Sequence, residues 1–188
     1  SGALSDYEGR LIVGGQTRRF VSPAHAAAMG VATIHQELAL IGAMSVRDNL
    51  ALTSPGALFG WRRDDDDRWR AALARVGLEG VALDTPVERL PLSLRQLVEI
   101  ARALTLDSSL LIMDEATSSL DDGEASRLLD QVAKLRDEGK AIVFISHRME
   151  EIARIADRVS VLRDGRLVVS ERAGDLDRAS LIAAMTGS

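Results

Sequence analysis

The chain has 188 residues, 46% of them hydrophobic and 27% charged, a balance that suits one soluble domain, or one domain with a small subdomain, and a core that needs no staples. A net charge of −5 argues against a nucleic-acid partner, and the absence of cysteine excludes disulfides and thiol chemistry and fits a reducing compartment. No apolar run approaches the roughly 18 residues that span a bilayer, and "SGALSDYEGR" does not read as a signal peptide, so any membrane role is expected to come through a partner.

Along the chain, "RLIV" and "RRFV" flank Gly14-Gly15-Gln16-Thr17 and predict a hairpin with a glycine-rich turn. Ser22 and Pro23 suit the N-cap and first position of a short helix to Met29. "VATI" at 31–34 reads as a strand leading into His35-Gln36-Glu37. From about 45 to 105 the pattern is helical. Ser45 caps "VRDNLAL", residues 56–63 form a loop, and the acids Asp64 to Asp67 open a helix through Val76, where they complement its dipole. Apolar residues at 94, 97, 98, 101 and 104 share one helical face. Strand and helix then alternate. "LLIM" at 110–113 is an all-apolar strand, as expected for a parallel sheet buried on both faces, and "AIVFIS" at 141–146 reads as the next buried strand. Between them, Leu128, Leu129, Val132 and Leu135 mark a helix closed by Gly139. Met149, Ile152, Ala153 and Ala156 mark another. "RVSVLR", Asp164-Gly165 and "RLVVS" make a hairpin with a type I′ turn, and a last helix covers about 175–185. There are no repeats. The architecture expected is α/β with a helical insert at 45–105.

Chemistry gathers at strand ends. The strand 110–113 runs into Asp114 and Glu115, and the carboxyl ends of parallel strands open on the crevice where α/β sheets bind ligands. An Asp there suits Mg²⁺, which takes oxygen ligands and keeps several waters. The adjacent Glu suits polarising a water for attack on a phosphate. The same pair also fits a capped turn with an exposed glutamate. His147 follows the strand 141–146, where it can contact a terminal phosphate, and Gln36 follows the strand 31–34. Three strand ends carrying Gln, Asp-Glu and His are expected to converge on one rim.

Taken together, "IHQEL", "LLIMDEATSSLD", "VEIARAL" and "FISHRMEEI" resemble the nucleotide-binding domain of ABC-type ATPases in order and spacing, across essentially the whole chain. "SPAHAAAMGVATIHQEL" and "QLVEIARAL" look most like monosaccharide importers of the ribose, galactose and xylose type, and "LIAAMTG" resembles the end of the first of two tandem halves in that group. The resemblance implies a P-loop NTPase (RecA-like) α/β sheet with a helical subdomain, divided as 1–44 (first strands and Q-loop), 45–105 (helical subdomain with the signature motif) and 106–188 (Walker B, D-loop and switch histidine). It implies ATP and Mg²⁺ as ligands. Gln36 is then the Q-loop glutamine that touches Mg²⁺ or the attacking water. Asp114 is the Walker B aspartate that holds Mg²⁺, Glu115 the general base and His147 the switch histidine. Ser119, Leu120 and Asp121 form the D-loop that crosses to a second nucleotide-binding half, tandem or homodimeric. Membrane-spanning permease subunits are the implied partners. The implied location is cytoplasmic, on the inner face of the cell membrane.

The pattern departs from the family twice. Aligned on Gln96, the signature serine is replaced by Pro91, which has neither hydroxyl nor N–H, and the glycine that lets backbone approach phosphate is replaced by Ser93. Either the helix start has lost its phosphate donors, or Ser93 takes the serine's place. Second, the sequence contains no G-x-x-x-x-G-K-[ST]. By the resemblance, a P-loop would lie just upstream of "SGALSDYEG", so the chain is expected to start after it. By the resemblance, the P-loop strand is central, between the strand ending at His147 and the first strand of the 159–170 hairpin. The gap is expected to be closed by a strand from another copy, by direct pairing of 141–145 with the hairpin, or by a displaced hairpin. The function implied is an ATP-hydrolysing energy subunit of a sugar importer. A non-catalytic interaction module and a soluble ABC-type ATPase without a transport role are the alternatives.

Overall fold

The computed structural model describes residues 6–35, 38–52, 65–106 and 108–187. They fall into two compact units, 1–145 and 146–188. The expected loop at 56–63, the acid Asp64 and the strand-end residue Gln36 lie outside the described residues.

The first unit opens with an antiparallel hairpin, β1 (Leu11–Val13) and β2 (Gln16–Arg18). Val13 pairs with Gln16, so the turn is Gly14-Gly15 alone, both at positive φ (59° and 74°), the two-residue turn that matches strand twist. The sequence reading put the second strand two residues later and lengthened the turn. The glycine pair overrides the more apolar "RRFV", whose Phe20 instead leaves the strand and packs with Ala26 and Val31.

Helix α1 (Pro23–Ala28) begins as expected, with the Ser22 hydroxyl accepting from the His25 N–H. It leads into β3 (Val31–Ile34), which pairs in parallel with β4 (Leu110–Asp114), and β4 with β5 (Ala141–Ile145). Crossovers separate these strands in sequence, as parallel pairing requires. Between β3 and β4 lie α2 (Val46–Ala51), α3 (Asp66–Arg75) and α4 (Leu92–Thr105). Ser45 and Asp48 close a reciprocal capping box on α2. Helix α4 packs against β3, α2 and α3, and its apolar face buries Val98, Ile100, Ala101 and Leu104. Helix α5 (Asp122–Asp137) joins β4 to β5, buries Leu128, Leu129, Val132 and Leu135, and ends before Gly139 at φ 89°.

The order β3-β4-β5 leaves β5 paired on one side only among the described residues. Its alternate residues are exposed, Val143 by 46% and Ile145 by 47%, whereas Leu111 and Met113 of β4 are fully buried. Among the described residues, alternate positions of "AIVFI" are thus exposed, contrary to its reading as a buried strand.

The second unit contains α6 (Met149–Ile155), the antiparallel pair β6 (Arg158–Arg163) and β7 (Arg166–Arg172), and α7 (Arg178–Thr186). The turn Asp164-Gly165 has φ 51° and 73°, the expected type I′ geometry. Val159, Val161 and Leu181 form a small core flanked by Met149, Ile152 and Leu176. Asp177 caps α7 through the Ser180 N–H, three residues later than the sequence suggested, because 173–175 form a separate turn. Among the described residues the hairpin β6–β7 forms a two-stranded sheet of its own.

Candidate functional site

The carboxyl ends of β3, β4 and β5 lie side by side, with Ile34 opposite Met113 and Asp114 opposite Ile145. Asp114 is the last residue of β4 and is exposed, and Glu115 follows half-buried. Glu115 sits at φ 48°, a left-handed conformation that a side chain makes costly by roughly 1–2 kcal/mol. Neighbouring hydrogen bonds hold it there. Its N–H donates to the Ile145 carbonyl across the sheet (3.0 Å), and its own carbonyl accepts from Ser118 (3.0 Å). Strain kept at a strand end turns the chain sharply after Asp114 and sets two carboxylates beside one another at the sheet rim.

Behind them Ala116, Thr117 and Leu120 are buried, so the turn rests on the core rather than on solvent. Asp121 caps α5, accepting from the Glu124 N–H (2.7 Å), while Glu124 Oε2 accepts the Asp121 N–H (3.4 Å). Glu124 also receives the Ser93 hydroxyl on Oε1 (2.7 Å). The start of α4 and the start of α5 are thereby joined through one glutamate, which the sequence reading missed. Its signal was present as the capping-box spacing Asp121-x-x-Glu124. Pro91 stands at the N-cap of α4 with no side-chain cap. The Ser93 hydroxyl is directed at Glu124, not left open at the helix start.

His147 lies in the second unit, exposed, in the turn before α6. The Ser146 hydroxyl fixes that turn, donating to Glu151 Oε2 (2.7 Å) and accepting from the Arg148 N–H (3.0 Å). Of the residues expected at one rim, the first unit therefore brings together Asp114 and Glu115. Gln36 is outside the described residues.

A second polar group, unforeseen from sequence, lies on α4. Glu99 is only 2% exposed and accepts the Ala39 N–H (3.3 Å) and Arg102 Nη2 (3.2 Å) on the same oxygen. Arg102 Nη1 donates to the Ala39 carbonyl (2.7 Å). Glu99 Oε2 is buried with no hydrogen-bond partner among the described residues. Both side chains line a cavity of about 330 Å³, together with Ala27, Thr33, His35 and Leu106. Burial pushes the Glu99 carboxyl above its ordinary 4.5, and Arg102, the Ala39 N–H and His35 pull it back only in part. A raised carboxyl favours the protonated folded protein. Its stabilising effect is complete below the ordinary value and is lost as pH rises through the folded one. Glu99→Gln, which cannot ionise, is therefore expected to cost less stability at about pH 7 than at about pH 4, read as urea midpoints. A cost that grows toward neutral pH would mean that the ion pair with Arg102 outweighs burial.

Asp114 is a single exposed carboxylate at a strand end, and no group of three or more His, Cys, Asp or Glu among the described residues is placed to hold a metal ion. That donor set fits Mg²⁺, which binds through one or two carboxylates with waters and substrate phosphates, and does not fit an all-protein cage.

Residues 1–118 match the family described as ABC transporter. The chain belongs to the ABC transporter family. Its fold is that of ABC cassettes. It superposes on the ADP conformation of an ATP-binding cassette of an ABC transporter with a TM-score of 0.81, at 22% identity, covering 99% of this chain and 76% of that one. A cbiO1 protein from Clostridium perfringens, part of an ABC transporter complex, gives 0.80 at 23% identity, with 96% and 73% covered. Among ABC proteins of known name, a ribose import ATP-binding protein of Rhizobium johnstonii is 40% identical over 189 residues, spanning 100% of this chain and 37% of its own length. An arabinose import ATP-binding protein of Pseudomonas fluorescens is 42% identical over 188 residues, spanning 99% and 37%. The chain thus spans little more than a third of the curated relatives it matches.

Proposed function

We propose that this chain is part of the ATP-hydrolysing energy subunit of an importer whose cargo is a sugar. The observation that carries this reading is the strained Asp114-Glu115 turn at the carboxyl end of β4, within a chain of the ABC family. The names of the ribose and arabinose import relatives supply the cargo class.

In this reading Glu115 accepts a proton from water as the water attacks the γ-phosphorus of ATP in line. The bond from γ-phosphorus to the β–γ bridging oxygen breaks, leaving ADP and phosphate. Asp114 would hold Mg²⁺, directly or through water, and the ion, when bound, would neutralise phosphate charge. Gln36 and His147 orient the water and contact the γ-phosphate. Most of the barrier is lowered by positioning and charge, with about 10²–10⁴ from the base. Asp121, and Ser93 if it stands in for the signature serine, face a second nucleotide-binding half. No helix among the described residues is long and apolar enough to cross a membrane. In this reading, permease subunits provide the contact with the membrane, at its cytoplasmic face.

The test is Mg-dependent phosphate release by the full-length protein and its Glu115→Gln variant. A drop of about 100-fold or more supports Glu115 as base. Equal rates would remove it. Absence of release in the wild type would favour the second reading, a non-catalytic interaction module, which Pro91 at the signature position also supports.

Pro91→Ser provides a separate prediction. In the full-length protein a serine returns a hydroxyl and an N–H to the start of α4, and turnover is expected to rise. In the 188-residue chain the same change supplies an N-cap and is expected to add about 0.5–1 kcal/mol of stability. A gain in stability without a gain in turnover would separate capping from phosphate contact.

A further inference from the structure

We propose that Glu99 and Arg102 form a clamp that fastens the segment 38–41 to helix α4, so that this helix and the chain following Gln36 move as one body. The coupling role rests on the ATP-hydrolysis reading above. The clamp itself does not.

The geometry is a closed ring. Ala39 donates its N–H to Glu99 Oε1, Arg102 Nη2 donates to the same oxygen, and Arg102 Nη1 donates to the Ala39 carbonyl. Both backbone groups of one exposed loop residue are thus held by side chains some sixty positions away on one helix. Two positions on, the loop is fastened again. Fully buried Asn49 of α2 accepts from the Ile41 N–H (2.8 Å) and donates to the Ile41 carbonyl (3.0 Å). Four backbone groups, two each of Ala39 and Ile41, therefore depend on side chains rather than on a strand or helix.

Placement gives the clamp its mechanical consequence. Helix α4 starts at Pro91, beside the Ser93–Glu124 link to the start of α5. Residues 99 and 102 lie two to three turns further along the same rigid helix. A displacement of its start is carried to Ala39, the third residue beyond Gln36. The ring is not fully satisfied, since Glu99 Oε2 is buried with no hydrogen-bond partner among the described residues, and the pair borders a cavity of about 330 Å³.

Removing Arg102 alone would leave a buried carboxylate unpaired and risk misfolding. The decisive variant is therefore the double change Glu99→Met with Arg102→Met, because replacing both partners of a buried pair by apolar groups of similar size is often neutral or stabilising. In the 188-residue chain, amide hydrogen exchange at Ala39 is expected to speed up about tenfold or more in this variant, while the β3 amides paired with β4 stay within about twofold. An unprotected Ala39 amide in the wild type, or unchanged exchange in the variant, would overturn the clamp. In the full-length protein the same variant is expected to lower kcat for ATP about tenfold with KM within about twofold and an unchanged melting temperature, a pattern that a merely structural pair would not give. An unchanged kcat would remove the coupling role. A wild type that releases no phosphate would remove it too, by sinking the hydrolysis reading, and would leave the clamp to be decided by exchange alone.

Discussion

Titrated with Mg-ATP, the 188-residue chain is expected to bind no tighter than about 1 mM and to release no phosphate that Glu115→Gln can abolish. The groups that the fold sets at the rim, Asp114 and Glu115, are carboxylates. In the proposed reading they act on a cation and a water, and without a cation between them two carboxylates repel a triphosphate. What grips a triphosphate in P-loop proteins is a nest of backbone N–H groups at a helix start, a lysine and a hydroxyl, and no G-x-x-x-x-G-K-[ST] occurs in these residues. The start of α4 offers little in exchange. Pro91 lacks an N–H, and the Ser93 hydroxyl is directed at Glu124. Charge-assisted hydrogen bonds contribute about 1.5–3 kcal/mol each, so lacking several removes most of the roughly 8 kcal/mol that micromolar affinity represents. Calorimetric titration decides this. A micromolar constant would mean that another part of the chain cradles phosphate, and the cavity beside Glu99 and Arg102 would be the first place to substitute.

The elements that could be read from sequence are those whose signals are local. Ser22 and Ser45 announce helix starts, and the type I′ turn at Asp164-Gly165 follows from residue types that tolerate positive φ. The Asp114-Glu115 pair was equally legible, because an apolar run ending in two acids is a sequence feature. Its strain was not, because the φ of Glu115 is held by the Ile145 carbonyl, a partner on a neighbouring strand. The clamp was hidden for a related reason. Glu99 and Arg102 sit in "LVEIARAL" as an i, i+3 pair, and that spacing alone suggests a solvated ion pair. Only the fold shows that the exposed residue Ala39 completes the ring and that the carboxylate lies inside the protein.

Leu111→Ala is expected to destabilise the chain by about 2–5 kcal/mol, and Val143→Ala by less than about 1 kcal/mol, although both remove methyl groups from apolar parallel strands. Leu111 is fully buried on β4, which pairs on both sides, so its truncation leaves a cavity that close-packed neighbours cannot fill. Val143 is 46% exposed on β5, which pairs only with β4 among the described residues, so its truncation mostly trades one solvated surface for another. The two runs "LLIM" and "AIVFI" look alike by composition, and what separates them is whether something covers the second one. Urea midpoints for the two variants measure that directly. If Val143→Ala costs as much as Leu111→Ala, β5 is covered in solution, and an association that depends on protein concentration would identify a second copy as the cover. If the two differ as expected, the outer face of β5 is open in the isolated chain, and the buried-strand pattern of its sequence describes a surface that this chain alone does not enclose.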